Sequence, residues 1–233
     1  MKIFAISDFH LSFSSSKPMD IFGDVWEDYW EKILQDADKK VSDDDLILIA
    51  GDISWAMSLS DAEIDLKHLS LLKGKKIIIR GNHDYWWSSY SKVKTILPQN
   101  VFAIQNNAIK FNNIVICGSR GWGTPENEEL KAQDKKIYDR ELIRMRISLE
   151  DAQKKCLRDE DKIIALIHYP PFNSHYEDSE FTRLFEEFGV NKVIYGHIHG
   201  KKSQVNKKVT KANIEYYLTS CDILNNQLLE IIL

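Results

Sequence analysis

Short apolar runs punctuate the chain and stop at polar residues or glycine. Ile3-Phe4-Ala5-Ile6 gives way to Ser7-Asp8, Leu46-Ile47-Leu48-Ile49-Ala50 to Gly51-Asp52, and Ile77-Ile78-Ile79 to Arg80-Gly81. Runs of this length, rich in β-branched residues, predict buried strands. The pattern places strands at 2–7, 45–50, 76–80, 101–104, 108–111, 113–118, 162–168, 192–196, 214–219 and 228–232. Helices are expected at 22–40, 60–72, 88–96, 136–157 and 178–188. In the fourth of these, Tyr138, Leu142, Met145, Leu149, Ala152 and Cys156 recur at steps of four and three, a single stripe that packs on a sheet. The first carries Trp26, Tyr29, Trp30, Ile33 and Leu34, an apolar face broad enough for core packing. Alternation of the two element types predicts an α/β fold.

The strands between 101 and 118 lie close together, joined by Asn106-Asn107 and Asn112-Asn113. They predict antiparallel hairpins and hence a sheet of mixed direction. Two long loops stand out: serine-rich residues 11–20, and residues 119–134, which carry glycines, a proline and charge. The second is expected to act as a lid over a site. No repeat, linker or low-complexity tract divides the chain, so 1–233 reads as one domain.

Composition narrows the class. With 43% hydrophobic and 28% charged residues, the 233-residue chain has the make-up of a soluble globular protein. A net charge of −4 argues against a broad nucleic-acid surface. Lys201-Lys202 and Lys207-Lys208 read as solvated surface flanking a turn. Cys117, Cys156 and Cys221 show no CxxC spacing and read as free buried thiols of a reducing compartment. The first apolar run is too short for a signal peptide and no run approaches a membrane span, so a cytoplasmic location is expected.

Chemistry concentrates where the strands stop. Asp8-Phe9-His10, Gly51-Asp52, Gly81-Asn82-His83-Asp84, the lone His168 and Gly196-His197-Ile198-His199 each follow an apolar run. Strand ends are where open α/β sheets build their sites. Imidazole and carboxylate are a ligand set for divalent transition metals, here in numbers sufficient for two ions. In Gly-His-x-His, a strand conformation would point both imidazoles the same way. Asp-x-His or Gly-Asp alone is a weak signal, but five clusters in this order are not coincidental.

On these motifs the chain resembles the calcineurin-like metallophosphoesterase family, over residues 8 to 199. The resemblance implies a four-layer α/β/β/α fold, two mixed sheets packed as a sandwich with helices on both outer faces. It implies two divalent ions, commonly Mn, Fe or Zn. Asp8, His10 and His199 would hold one; Asn82, His168 and His197 the other; Asp52 would bridge them. A hydroxide shared by the two metals would attack phosphorus in line. Two such ions bring four positive charges against three from Asp8, Asp52 and hydroxide, which leaves the site positive for a phosphate ester. His83 is the expected general acid, with Asp84 either orienting its ring or capping a following helix. Many members carry a second acid shortly after the Gly-Asp pair; here Asp52-Ile53-Ser54-Trp55 lacks it.

Around these clusters, Tyr85-Trp86-Trp87, Trp55 and Trp122 could form a wall that stacks a planar group, or Trp86 and Trp87 could anchor their loop in the core. Trp122, between two glycines, is the better substrate contact. Arg120, ahead of Arg80, is a candidate for phosphate, with a surface salt bridge the competing use. His175 is placed at the entrance, and His68 on a helix as structural or exposed. The expected activity is hydrolysis of a small phosphoester, with a phosphodiester or nucleotide-like substrate favoured. Phosphomonoesterase, nuclease and protein phosphatase are the rivals within the class. A non-catalytic scaffold is the rival outside it, and the complete ligand set argues against that reading.

Overall fold

Both faces of the central strands are apolar, so each strand sends alternate side chains into different layers. In the computed structural model, which describes residues 1–126, 130–200 and 205–233, β2 (Leu46–Ile49) shows the rule. Leu46 and Leu48 pack with Ile3, Ala5, Ile116, Ile164 and Leu166 between two sheets, while Ile47 and Ile49 pack outward with Trp30, Ile33, Leu66 and Val93. A continuous buried run results where a half-solvated strand would alternate with polar residues.

The first sheet has β11 (Leu229–Glu230) beside β1 (Ile3–Ala5), then β2, β3 (Lys75–Ile78) and β4 (Val101–Ala103). Only β11 runs antiparallel. The second is ordered β5 (Ala108–Phe111), β6 (Ile114–Ser119), β7 (Lys162–Ile167), β8 (Lys192–Tyr195), β10 (Ile214–Leu218) and β9 (Lys208–Lys211). Its four inner strands are parallel and its two edges antiparallel. On the outer face of the first sheet lie α1 (Tyr29–Lys40), α2 (Leu59–Leu69) and α3 (Tyr90–Ile96). On that of the second lie α4 (Ala132–Lys155) and α5 (Glu180–Glu187). This is the expected four-layer arrangement.

The expected stripe of α4 is buried at Tyr138, Met145, Leu149 and Ala152. Other expectations change. Residues 101–118 form one hairpin, β5–β6. β4 pairs in parallel with β3, and the chain crosses to the other sheet through Asn106, whose φ of 63° turns the backbone. The helix expected from residue 22 begins at Tyr29, after two 3-10 turns, Asp20–Phe22 and Asp24–Trp26, separated by Gly23. β9 was hidden by its lysines: it is an edge strand on which Lys208 is exposed, and charge suits an unpaired edge. Lys201-Lys202 lies outside the described residues. Among the described residues, no helix is long and apolar enough to cross a membrane.

The core reaches directly under the site. Phe9, between Asp8 and His10, is fully buried and meets Trp30 of α1 edge-to-face, ring centroids 5.4 Å apart. Its side chain anchors the Asp-x-His turn from below. Phe9→Ala is therefore expected to cost about 3–5 kcal/mol, read as a lower midpoint in urea denaturation.

Candidate metal centre

The polar residues that end the apolar runs gather at one end of both sheets, at the carboxyl ends of the parallel strands. The loops leaving β1 and β2 run side by side: the amide of Asp8 donates to the carbonyl of Gly51, His10 to Asp52 and Leu11 to Ile53, at 3.1, 3.0 and 2.9 Å. Asp8, His10, Asp52 and His197 all sit at positive φ, 60°, 49°, 51° and 73°. Such backbone costs about 1–3 kcal/mol per residue and persists where surrounding contacts enforce it.

Two glycines make this crowding possible. A Cβ on Gly81 would lie 2.1 Å from Oδ1 of Asp52, and one on Gly196 would lie 2.2 Å from Oδ2 of Asp8. Both carboxylates thus rest against bare backbone. The amide of His83 donates to Asp52 Oδ1 at 2.8 Å, and that of His197 donates to Asp8 Oδ1 at 3.0 Å.

Ring tautomers follow from the outer partners. His168 Nδ1 faces the carbonyl of Ala50 at 2.8 Å and so carries the proton. Its Nε2 is then a lone pair, and it points at Oδ1 of Asn82 at 2.6 Å. Nδ1 of His197 lies 2.9 Å from the same Oδ1. His199 Nδ1 donates to Asp222 Oδ1 at 2.9 Å, which leaves Nε2 turned to His10 Nε2 at 3.4 Å and Asp8 Oδ1 at 3.7 Å. Asp52 Oδ2 lies between the two groups, 3.7 Å from His10 Nε2 and 3.5 Å from His168 Nε2. Acceptor atoms brought this close together require positive charge between them, a proton or a metal ion. The donor set therefore fits cations. One atom each from Asp8, His10 and His199 fall within 4.8 Å of one another, as do atoms from Asp8, Asp52 and His168.

Proton affinities carry the same message. Burial, then the charges of Asp8 and Asp84, push Asp52 up to about 9. Burial would lower His199, but its hydrogen bonds to Asp222 and Asp8 outweigh it and hold the ring up to about 10. Burial dominates at His10 and His197, which fall to about 3 and 4 and are neutral, as ligands must be.

Gly196–His199 lies beyond β8, in a tight turn in which the amide of Ile198 donates to the carbonyl of Gly196 at 2.9 Å. His197 and His199 consequently diverge to different groups instead of pointing together from a strand. Asp84 is fully buried, and it accepts from the amides of Gly81, Ile53 and Ser54 at 2.7, 2.9 and 3.1 Å and from Trp86 Nε1 at 3.1 Å. Nδ1 of His83 has no hydrogen-bond partner among the described residues. Asp84 thus shapes the loop, and neither orients the imidazole by a hydrogen bond to Nδ1 nor caps α3, whose N-cap is Ser89. The ring of His83 packs on Trp55 at 4.5 Å and lies 5.5 Å from the ring of His10.

Asp222 went unnoticed in the sequence. It follows β10 as Asp8 follows β1 and Asp52 follows β2, an acid just past an apolar run, and that was the available signal. Trp86 and Trp87 are buried, their indole N–H groups bound to Asp84 and to Gln105, so they anchor the loop. Trp122 packs on Tyr169, centroids 5.2 Å apart, and Tyr169 packs on His197 at 4.2 Å. Arg120 pairs with Glu141 at 3.4 Å and lies over Trp122 at 4.9 Å, while its carbonyl accepts from the amide of His168 at 3.0 Å. His175 is exposed, and the neighbouring Ser174 binds Glu126 through amide and hydroxyl at 3.0 and 2.7 Å. The described start of the expected lid is thereby tied to the 170–179 loop; residues 127–129 lie outside the described residues. His68, on α2, stacks on Phe13. The cleft that opens beside the imidazoles, about 660 Å³, is lined instead by His10, His83, His199, Trp26, Trp55 and Phe22, among others.

A family model for calcineurin-like phosphoesterases matches residues 1–201, a span that holds every residue of the cage from Asp8 to His199. Among solved structures the fold is similar to a phosphopantetheinyl hydrolase from Mycobacterium tuberculosis, at 12% identity and a TM-score of 0.57, covering 99% of this chain and 95% of that one. It is also similar to a protein from Thermus thermophilus, at 13% identity and 0.55, covering 98% and 97%. A protein of unknown function from Aquifex aeolicus gives 14% and 0.51, covering 98% and 95%. At such identities the likeness concerns the fold alone. No curated protein matches. With its motif order, its sandwich and its cage in one place, the chain belongs to the calcineurin-like phosphoesterase family.

Proposed function

We propose that the protein hydrolyses a small phosphodiester at a dinuclear metal centre held by Asp8, His10, Asp52, Asn82, His168, His197 and His199. Family membership supports metal-dependent phosphoester hydrolysis. The observation that carries the dinuclear reading is the position of Asp52, with one carboxylate oxygen between the His10–His199 pair and the Asn82–His168 pair. Nitrogen and oxygen donors without thiolate suit Mn, Fe or Zn. Divalent ions held there supply the positive charge that activates water and offsets charge on the phosphoryl oxygens.

The chain's own groups do the rest. The Asp8 and Asp52 carboxylates, fixed by backbone amides, hold the cage at one geometry. Asp222 and the Ala50 carbonyl each take the outer N–H of an imidazole, so His168 presents a lone pair inward, and His199 would do so once a cation replaces its Nε2 proton. His83 stands between the cage and the cleft and delivers a proton to the leaving oxygen. Trp55 fixes the plane of that ring by contact, as no hydrogen bond among the described residues holds its Nδ1.

The test is turnover of bis-p-nitrophenyl phosphate beside p-nitrophenyl phosphate, using metal-stripped protein resupplied with Mn²⁺. Diester hydrolysis that is absent after chelation and restored by Mn²⁺ is expected, and Asp52→Asn should abolish it. Turnover of the monoester alone would replace the diester reading. His83→Ala should lower kcat by about 10²–10⁴-fold with metal content unchanged. For Asp222→Ala, calorimetry should show Mn²⁺ affinity reduced about 10–100-fold, with the circular dichroism spectrum of the wild-type fold.

A further inference from the structure

We infer that the cleft beside the metal centre receives an uncharged, apolar alcohol portion of the ester, seated against Trp55 and the double turn at residues 19–26. The inference rests on the phosphoesterase reading above. It starts from where the cleft lies: His10, His83 and His199 form one side, so a phosphoryl group in the cage would direct its organic substituent into it. Met19, Phe22, Val25, Trp26 and Trp55 supply the apolar part of the remaining wall. Asp24 and Asp222 also line it, and among the described residues no lysine or arginine does; the ammonium of Lys17 stands over the Trp55 ring, 4.7 Å from its centroid. A substituent bearing further phosphates would meet a carboxylate and apolar carbon there. An alkyl or similarly apolar group would gain contact with both walls.

This wall is built into the fold. Gly23 joins the two 3-10 turns with φ 118° and ψ 168°, backbone that only glycine adopts readily. Asn226 Nδ2 donates to the carbonyl of Val25 at 2.6 Å, and Trp55 Nε1 donates to Met19 Sδ at 3.2 Å. Trp55 is itself stacked on His10, with centroids 4.8 Å apart and planes 25° apart. Against this rigid support, Phe22 is 64% exposed and Ile21 72% exposed. A large apolar side chain held in water on the wall of the cleft, with a second beside it in sequence, marks a contact surface.

Binding can be read without turnover. Methylphosphonate, octylphosphonate and thymidine 5′-phosphonate carry the same phosphoryl charge and differ only in the group offered to the cleft. Titrated calorimetrically into Mn²⁺-loaded full-length protein, octylphosphonate is expected to bind at least about tenfold tighter than methylphosphonate, because its methylenes leave water for apolar walls. Phe22→Ser, a change at an exposed position that spares the core, should erase most of that preference. Equal affinities, no binding of the octyl ligand, or tighter binding of the thymidine ligand would overturn the inference. So would an octyl preference that survives Phe22→Ser unchanged. Failure of the phosphoesterase reading would show separately, as absent turnover of the p-nitrophenyl esters.

Discussion

Lone pairs and negative charge are forced together at one dry spot, and most of the local structure exists to hold them there. Asp8 and Asp52 are almost wholly buried, as are His10 and His168, and Nε2 of His168 meets Oδ1 of Asn82 while that of His10 meets Nε2 of the more exposed His199. Left without cations such a cluster would repel itself, and a flexible chain would relieve the repulsion by opening. The fold prevents this from several directions. Backbone amides clamp the carboxylates, and outer acceptors fix the rings. Phe9 ties the first turn into the core against Trp30. Positive φ at Asp8, His10, Asp52 and His197 is the backbone consequence of pointing so many polar side chains at one point from strand ends. The strain is offset by burial elsewhere, chiefly the layer between the sheets.

The short motifs are thus packing solutions as well as ligand lists. Glycine before asparagine in Gly81-Asn82 and before histidine in Gly196-His197 leaves room for a carboxylate on the opposite loop. The acid that ends Gly81-Asn82-His83-Asp84 gathers three backbone amides and an indole N–H, so it sets the curvature that aims Asn82 and His83. A role that looks catalytic from adjacency in sequence is here one of loop shape, because neighbours along a tight turn point in different directions.

What the sequence made legible was whatever a local pattern encodes. Strands buried on both faces announced themselves as apolar runs, and the polar residues that stopped them announced the site. What it concealed depends on distant pairings. Nothing local says that β4 and β5 belong to different sheets, because the switch is made by one backbone angle at Asn106. β9 has too few apolar residues to be seen, as it pairs on one side only. Asp222 carries no motif of its own and gains meaning only because β10 lies beside β8, which brings it to His199. Trp122 and Arg120 were sensible candidates by composition, but their side chains are engaged with Tyr169 and Glu141. The wall of the cleft came from residues 19–26, expected partly as loop and partly as helix, and built as two 3-10 turns.

Trp55 connects these threads. It stands just after the Gly-Asp pair, where the resemblance leads one to expect a second acid. An acid beside His83 would hold a proton on that ring by charge. An indole cannot do so; it fixes the ring by contact while covering His10 on its other flank. The indole puts apolar surface beside the general-acid candidate. It also extends an apolar surface from the cage to Met19, Trp26 and Phe22. One residue thereby sets both the surroundings of the general-acid candidate and the character of the cleft.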